Sequence, residues 1–161
     1  MNETGLSKQN YFTFQLGKGL FAVPVTSIKE VLNYEPITPV PKALPYLKGV
    51  INIRGTVVPV ADFRVLFGFT SEKPIDQTML IITEIEQKDD QPLVLGLIAD
   101  GVDVVCPLQI VPSETIEYGT LPQRKEFIYA VGKKNDKFVL IINMENVISS
   151  IKTEISNAAL A

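Results

Sequence analysis

This sequence contains no histidine and no tryptophan, and it has a single cysteine, Cys106. The missing imidazole removes the commonest general base, the commonest metal ligand and any histidine phosphoacceptor. It also makes Ser-His-Asp and Cys-His constellations impossible. One thiol builds neither a disulfide framework nor a cysteine metal site, and it points to a reducing, cytoplasmic setting. Cys106 stands between Val105 and Pro107 at an apolar strand end. Nothing nearby in sequence lowers its pKa, so a buried structural thiol is expected. Long apolar runs are missing too: a membrane helix needs roughly 18 to 20 such residues, whereas Leu93 to Ala99 and Phe138 to Asn143 are strand-sized. Met1 to Asn10 is polar, and no signal peptide is expected there. Positive charge is in deficit, with a net charge of −3. Such a chain gains no attraction to phosphate backbones, so nucleic acid is not an expected partner. A groove for single strands would need a basic floor and stacking aromatics.

What remains is an ordinary globular composition: 161 residues, 46% apolar and 20% charged. That fits one domain or two small, closely packed lobes, large enough to fold without a disulfide or metal. Tyr11 to Leu16 alternates, with Phe12, Phe14 and Leu16 on one face, as a half-buried strand does. Gly17-Lys18-Gly19 turns the chain, and Leu20 to Val23 returns as a hairpin partner. Ser27 and Glu30 have capping-box spacing, which predicts a short helix over Thr26 to Leu32. Pro36, Pro39, Pro41 and Pro45 make Glu35 to Pro45 an edge strand or extended surface segment. Strands follow at Val50 to Ile53 and Thr56 to Val60, then one helical turn over Asp62 to Phe67 with Asp62 as cap and Gly68 as stop. Thr78 to Ile85, Leu93 to Ala99 and Val102 to Cys106 read as strands, and Pro107 to Glu126 as irregular with one turn at Ser113 to Glu117. Phe127 to Gly132 and Phe138 to Ile142 pair across Lys133-Lys134-Asn135-Asp136. Met144, Val147, Ile148, Ile151 and Ile155 fall at helical spacing behind Asn143 as N-cap. About ten short strands with two or three short helices predict an all-β fold, a barrel or a sandwich.

Candidate chemistry is sparse. Glu84, Glu86, Asp89 and Asp90 would offer oxygen ligands to a hard cation, as a metal hydrolase requires, but their spacing is not that of an EF-hand and a solvated loop explains them. Gly17 to Ala22 matches G-x-G-x-x-[GA], yet a dinucleotide site needs a helix to open there, and Pro24 with the β-rich Phe21 to Val25 favours a hairpin. No catalytic residue, metal ligand set or cofactor is expected. The informative stretch is Leu47 to Arg64, two apolar strands punctuated by Asn52, Arg54, Asp62 and Arg64. An arginine inside an apolar run must reach solvent or find an acid, because a buried unpaired charge is costly.

Lys48-Gly49-Val50-Ile51-Asn52-Ile53-Arg54-Gly55, followed by Val58-Pro59-Val60-Ala61-Asp62-Phe63-Arg64, closely resembles the signature of CheW-type chemotaxis coupling proteins. Phe12 to Val25 with Ile28-Lys29-Glu30-Val31 resembles the family's opening hairpin and short helix. Gly96 to Val102 resembles its central strand pair, and Phe138 to Asn146 its closing strand and helix start. Ala61, Phe63 and Ala130 depart from the family's usual residues as packing adjustments. The resemblance implies two interleaved five-stranded β-barrels like Src-homology-3 barrels, plus a C-terminal helix. The implied division is residues 1–10 as a flexible N-terminus, 11–152 as the CheW-like domain and 153–161 as a tail. It also implies a non-enzymatic adaptor that links chemoreceptor tips to the regulatory domain of the histidine kinase CheA, in the cytoplasm at receptor arrays, or the same role in a related chemosensory pathway. By the same resemblance, Ile28, Glu30, Gly49, Asn52, Arg54, Gly55, Asp100, Gly101 and Val102 are expected to face the receptor, with Glu30 and Arg54 paired. Ile37, Val40, Leu44 and Tyr46, in an apolar and proline-rich stretch expected to be exposed, are the candidates for the kinase-facing surface.

Overall fold

The computed structural model describes residues 6–41, 44–69, 73–88, 90–111 and 125–160. Among these lie ten strands and two α-helices: β1 (Leu6–Leu16), β2 (Gly19–Pro24), β3 (Ile28–Asn33), β4 (Leu47–Ile53), β5 (Thr56–Asp62), α1 (Phe63–Leu66), β6 (Met79–Ile85), β7 (Leu93–Ala99), β8 (Gly101–Val111), β9 (Ile128–Lys134), β10 (Lys137–Ile142) and α2 (Met144–Leu160). Strands β1-β2-β10-β9-β8 close into a barrel, and β3-β6-β7-β5-β4 form a second five-stranded sheet. The chain makes the first hairpin of the barrel, leaves to build the whole second sheet, and returns to finish the barrel. The two lobes are therefore interleaved in sequence, as expected. Each lobe needs one parallel junction to accommodate this path, β2 with β10 and β5 with β7.

Alternation along the strands generates three apolar clusters. On β6, Leu80 and Ile82 face the inside of the second sheet, whereas Ile81 and Ile85 face the barrel. On β10, Val139 and Ile141 fill the barrel, whereas Ile142 joins the shared core. Because both faces of these strands are buried, they read in the sequence as unbroken apolar runs. The shared core is tied together by a file of phenylalanines: Phe21 lies 5.2 Å from Phe67, which meets Phe127 edge-on at 6.1 Å. Met144, Val147, Ile148 and Ile151 press one stripe of α2 onto this core, each buried side chain contributing roughly 1.5–3 kcal/mol. The backbone N–H of Asn146 donates to Asn143 Oδ1 at 3.0 Å, so Asn143 caps the helix as its position predicts. The side chain of Ile155, predicted to extend the stripe, lies outside the described side chains.

Several expectations need correction. The helix predicted over 26–32 is a short 3-10 turn, Val25–Ser27, followed by strand β3. Val31 and Leu32 pair with Ile81 and Leu80 of β6, and this ladder overrides a two-residue capping signal. The region expected to be irregular from Pro107 is strand as far as Val111. Pro107 is tolerated because it pairs with Asn10 beside an irregularity in the β1–β8 register. The turn predicted at 113–117 lies outside the described residues. Strand β1 begins at Leu6, before the predicted start at Tyr11, and α2 runs to Leu160, past residue 152. Cys106 is half-buried rather than buried, at the margin of the barrel cluster.

Candidate functional site

The β4–β5 hairpin turns on two residues, Arg54 and Gly55, with φ of 49° and 86°. Positive φ at both positions is the geometry that matches the twist of paired strands, and it costs a non-glycine residue at the first position some strain. Asn52 Oδ1 accepts the Gly55 N–H at 2.9 Å and holds the turn in that shape. With its backbone so held, the Arg54 side chain swings out, 73% exposed, and pairs with Glu30 of β3. Strands β3 and β4 are the two outer strands of the second sheet, so this ion pair joins the sheet's two edges, and the pairing expected from the sequence is present. Lys29, Glu30, Ile53, Arg54, Thr56, Val58, Ile82 and Val94 line a concavity of about 220 Å³ there. Val57, directly opposite Asn52 in the ladder, exposes 64% of its surface beside them.

The other predicted residues are dispersed. Gly49 is buried, with φ of 142°, and a Cβ there would sit 2.0 Å from the Thr38 carbonyl oxygen. Its glycine is required by the crossing of the 34–41 segment, bridged through Thr38 and Val50. Ile28 packs partly into the shared core. Asp100, Gly101 and Val102 lie at the far end of β5 from Arg54, roughly 20 Å away at about 3.3 Å per residue. There Val102, Val104 and Val105 are exposed while Asp100 is buried. Among the kinase-facing candidates only Val40 is an exposed apolar side chain. Tyr46 is buried in the shared core, Leu44 packs partly against it and Ile37 against the second sheet's interior. The expected exposed apolar surface is thus mostly turned inward. Its anchor is the Tyr46 carbonyl, which accepts the Asp62 N–H at 2.7 Å.

A group that the sequence pattern did not assemble sits at the end of β5. Asp62 caps α1, as predicted, accepting the Arg64 N–H at 3.0 Å. It also grips the Arg64 guanidinium with both oxygens, at 3.0 and 2.9 Å, and Asp100 Oδ1 lies 3.1 Å from it. The hydrogen bond that Arg64 donates to Asp62 raises the Arg64 pKa further above its already high value, so the guanidinium stays charged in a buried place. An Asp-x-Arg step was visible in the sequence; its third member, 36 residues on, was not. Elsewhere, two of the carboxylates considered as a cation site have other partners: Glu84 meets Lys29 at 3.1 Å and Asp90 Oδ1 accepts the Gln91 N–H at 2.7 Å, while Asp89 lies outside the described residues.

The CheW-like domain family model matches residues 10–152. The chain belongs to the CheW family. Its relatives include the chemotaxis protein CheW of Klebsiella aerogenes, 24% identical over 88% of this chain and 82% of that protein. The CheW of Helicobacter pylori is 27% identical over 86% of this chain and 80% of its own. The crystal structure of the scaffolding protein TtCheW from Thermoanaerobacter tengcongensis superposes with a TM-score of 0.70 at 28% identity, covering 84% of this chain and 88% of that one. Members of the CheW family are non-catalytic scaffold and adaptor proteins of chemotaxis signalling. Within this CheW-like frame, the Arg54 hairpin tip is exposed at the edge of the second sheet. No helix among the described residues is long and apolar enough to cross a membrane.

Proposed function

We propose that this CheW-like chain couples the cytoplasmic tips of chemoreceptors to the regulatory domain of the histidine kinase CheA, so that receptor state governs kinase activity. On this reading it works in the cytoplasm, gathered to receptor arrays, with residues 11–152 as the functional unit. The observation that carries the proposal is the Glu30–Arg54 pair, which holds a strained and exposed arginine at a hairpin tip beside Val57. Strained backbone at a surface turn is found where a side chain must be aimed. A receptor tip is a helical hairpin, which seats apolar anchors in a groove and polar groups on its rim. Glu30, Asn52, Arg54 and Gly55 supply the rim at one end, and Gly101 and Val102 extend the contact at the other. Of the four candidates Ile37, Val40, Leu44 and Tyr46, Val40 is the exposed one left to face the kinase. The test is a binding assay between the chain and a receptor-tip fragment. Arg54→Ala weakens binding while circular dichroism shows an intact fold; an unchanged affinity removes Arg54 from the contact surface.

A further inference from the structure

Asp100 is the single residue between β7 of the second sheet and β8 of the barrel, so the chain crosses from one lobe to the other on it. It is 4% exposed, and each of its polar groups is engaged from within the protein. Oδ1 accepts from Arg64 at 3.1 Å, and Oδ2 accepts the Gly17 N–H at 2.6 Å. The carbonyl accepts from the Lys73 ammonium at 2.9 Å, and the N–H donates to the Gln15 carbonyl at 2.9 Å. Gln15 and Gly17 belong to the first hairpin of the barrel; Arg64 and Lys73 belong to the second lobe. Gly17 has φ of 60°, and a Cβ on it would stand 3.0 Å from the Phe69 ring. The barrel hairpin is thus seated against the second lobe by a close approach as well as by hydrogen bonds.

We infer that Asp62, Arg64 and Asp100 form a lock between the two lobes, and that Asp100 works inside this lock rather than by touching a partner. Apolar packing between lobes is non-directional and leaves their relative rotation weakly specified. Charge-assisted hydrogen bonds of fixed geometry specify it. The lock holds the Gly17 turn where β5 ends and so sets how the exposed β8 valines stand relative to the second sheet.

The test is amide hydrogen exchange followed by NMR on the full chain, together with thermal unfolding. In the unaltered protein the Gly17 amide exchanges at least about tenfold more slowly than an unstructured glycine. Asp100→Asn keeps the shape but presents one oxygen and one NH2 to two donors, so one donor loses its acceptor. The Gly17 amide then exchanges about tenfold faster and the melting temperature falls, while the Val131 and Leu140 amides in the barrel wall keep their rates. Unchanged Gly17 exchange and melting temperature in this variant overturn the lock. Should the variant fail to fold, the unaltered protein still decides, because a Gly17 amide as fast as an unstructured one overturns the lock as well. No partner enters these measurements, so their failure is distinct from failure of the receptor-binding proposal.

Discussion

Two arginines ten residues apart, Arg54 in the β4–β5 turn and Arg64 in α1 just past β5, live under opposite conditions. Arg54 stands in water on a turn and meets a single carboxylate, Glu30. Arg64 is buried at the other end of β5 and meets two, Asp62 and Asp100. Water screens the first pair, so it contributes only about 0–1 kcal/mol to stability and leaves its charges available to another molecule. The second pair has given up its hydration, so its partners are obligatory: removing one leaves a buried charge uncompensated, at about 3–5 kcal/mol. The same chemical pairing therefore serves as a surface feature in one place and as an internal joint in the other, and burial alone makes the difference.

The contrast can be broken most sharply at Arg64. Arg64→Met keeps much of the volume but strands two buried carboxylates, and chemical denaturation should show a loss of about 3–5 kcal/mol. A loss under about 1 kcal/mol would show the cluster to be a surface-like pair after all. Next in size is Gly49→Ala, which drives a methyl into the Thr38 carbonyl at a φ that side chains rarely adopt. A stability loss of about 2 kcal/mol or more is expected from strain and displaced backbone, and a neutral result would mean that the 34–41 segment moves aside freely. Glu30→Gln should shift the unfolding free energy by less than about 1 kcal/mol while reducing receptor-tip affinity. A large stability loss there would place the Glu30–Arg54 pair with the internal joints.

The smallest effect belongs to a third pair of intermediate exposure, Asp103 with Lys134 at 2.7 Å. The hydrogen bond from Lys134 holds the Asp103 carboxyl below its ordinary value, with Thr13 and Lys137 adding to the shift. A depressed aspartate contributes stability that is fully present above its unfolded pKa, about 3.9. That contribution is lost as the pH falls through the lower folded value. Acid titration of Lys134→Met should therefore show a shallower stability loss below about pH 4 than the unaltered chain. Superimposable acid profiles would mean that the pair adds nothing.

Much of this was legible along the chain. The first hairpin, the Asp62 cap, the Asn143 cap and the apolar stripe of α2 are local features, and period-2 or period-3.6 spacing reveals them directly. The Arg54–Gly55 turn was likewise visible, because a glycine between two short apolar runs marks a turn. Strand β3 was misread as helix because Ser27 and Glu30 mimic a capping box, and its true partner, β6, lies some fifty residues away. Ile37, Leu44 and Tyr46 looked like an exposed apolar surface because prolines mark an edge but do not say which face of the segment turns inward.

Composition and pattern by themselves determined that this is a β-rich chain without histidine chemistry, with its distinctive residues at the β4–β5 hairpin, and the resemblance of those residues to the CheW signature implied an adaptor. Those conclusions depend on residue identity and short-range spacing, which the chain states outright. Only the tertiary structure decided which of those residues remain available to a partner. Asp100 and Gly49 were expected on the same receptor-facing surface as Arg54, yet long-range contacts with Gly17, Arg64 and Thr38 bury the first two and leave the third in water. Solvation, which is set by whatever happens to pack alongside, separates a charge that can be offered from one that holds the fold together.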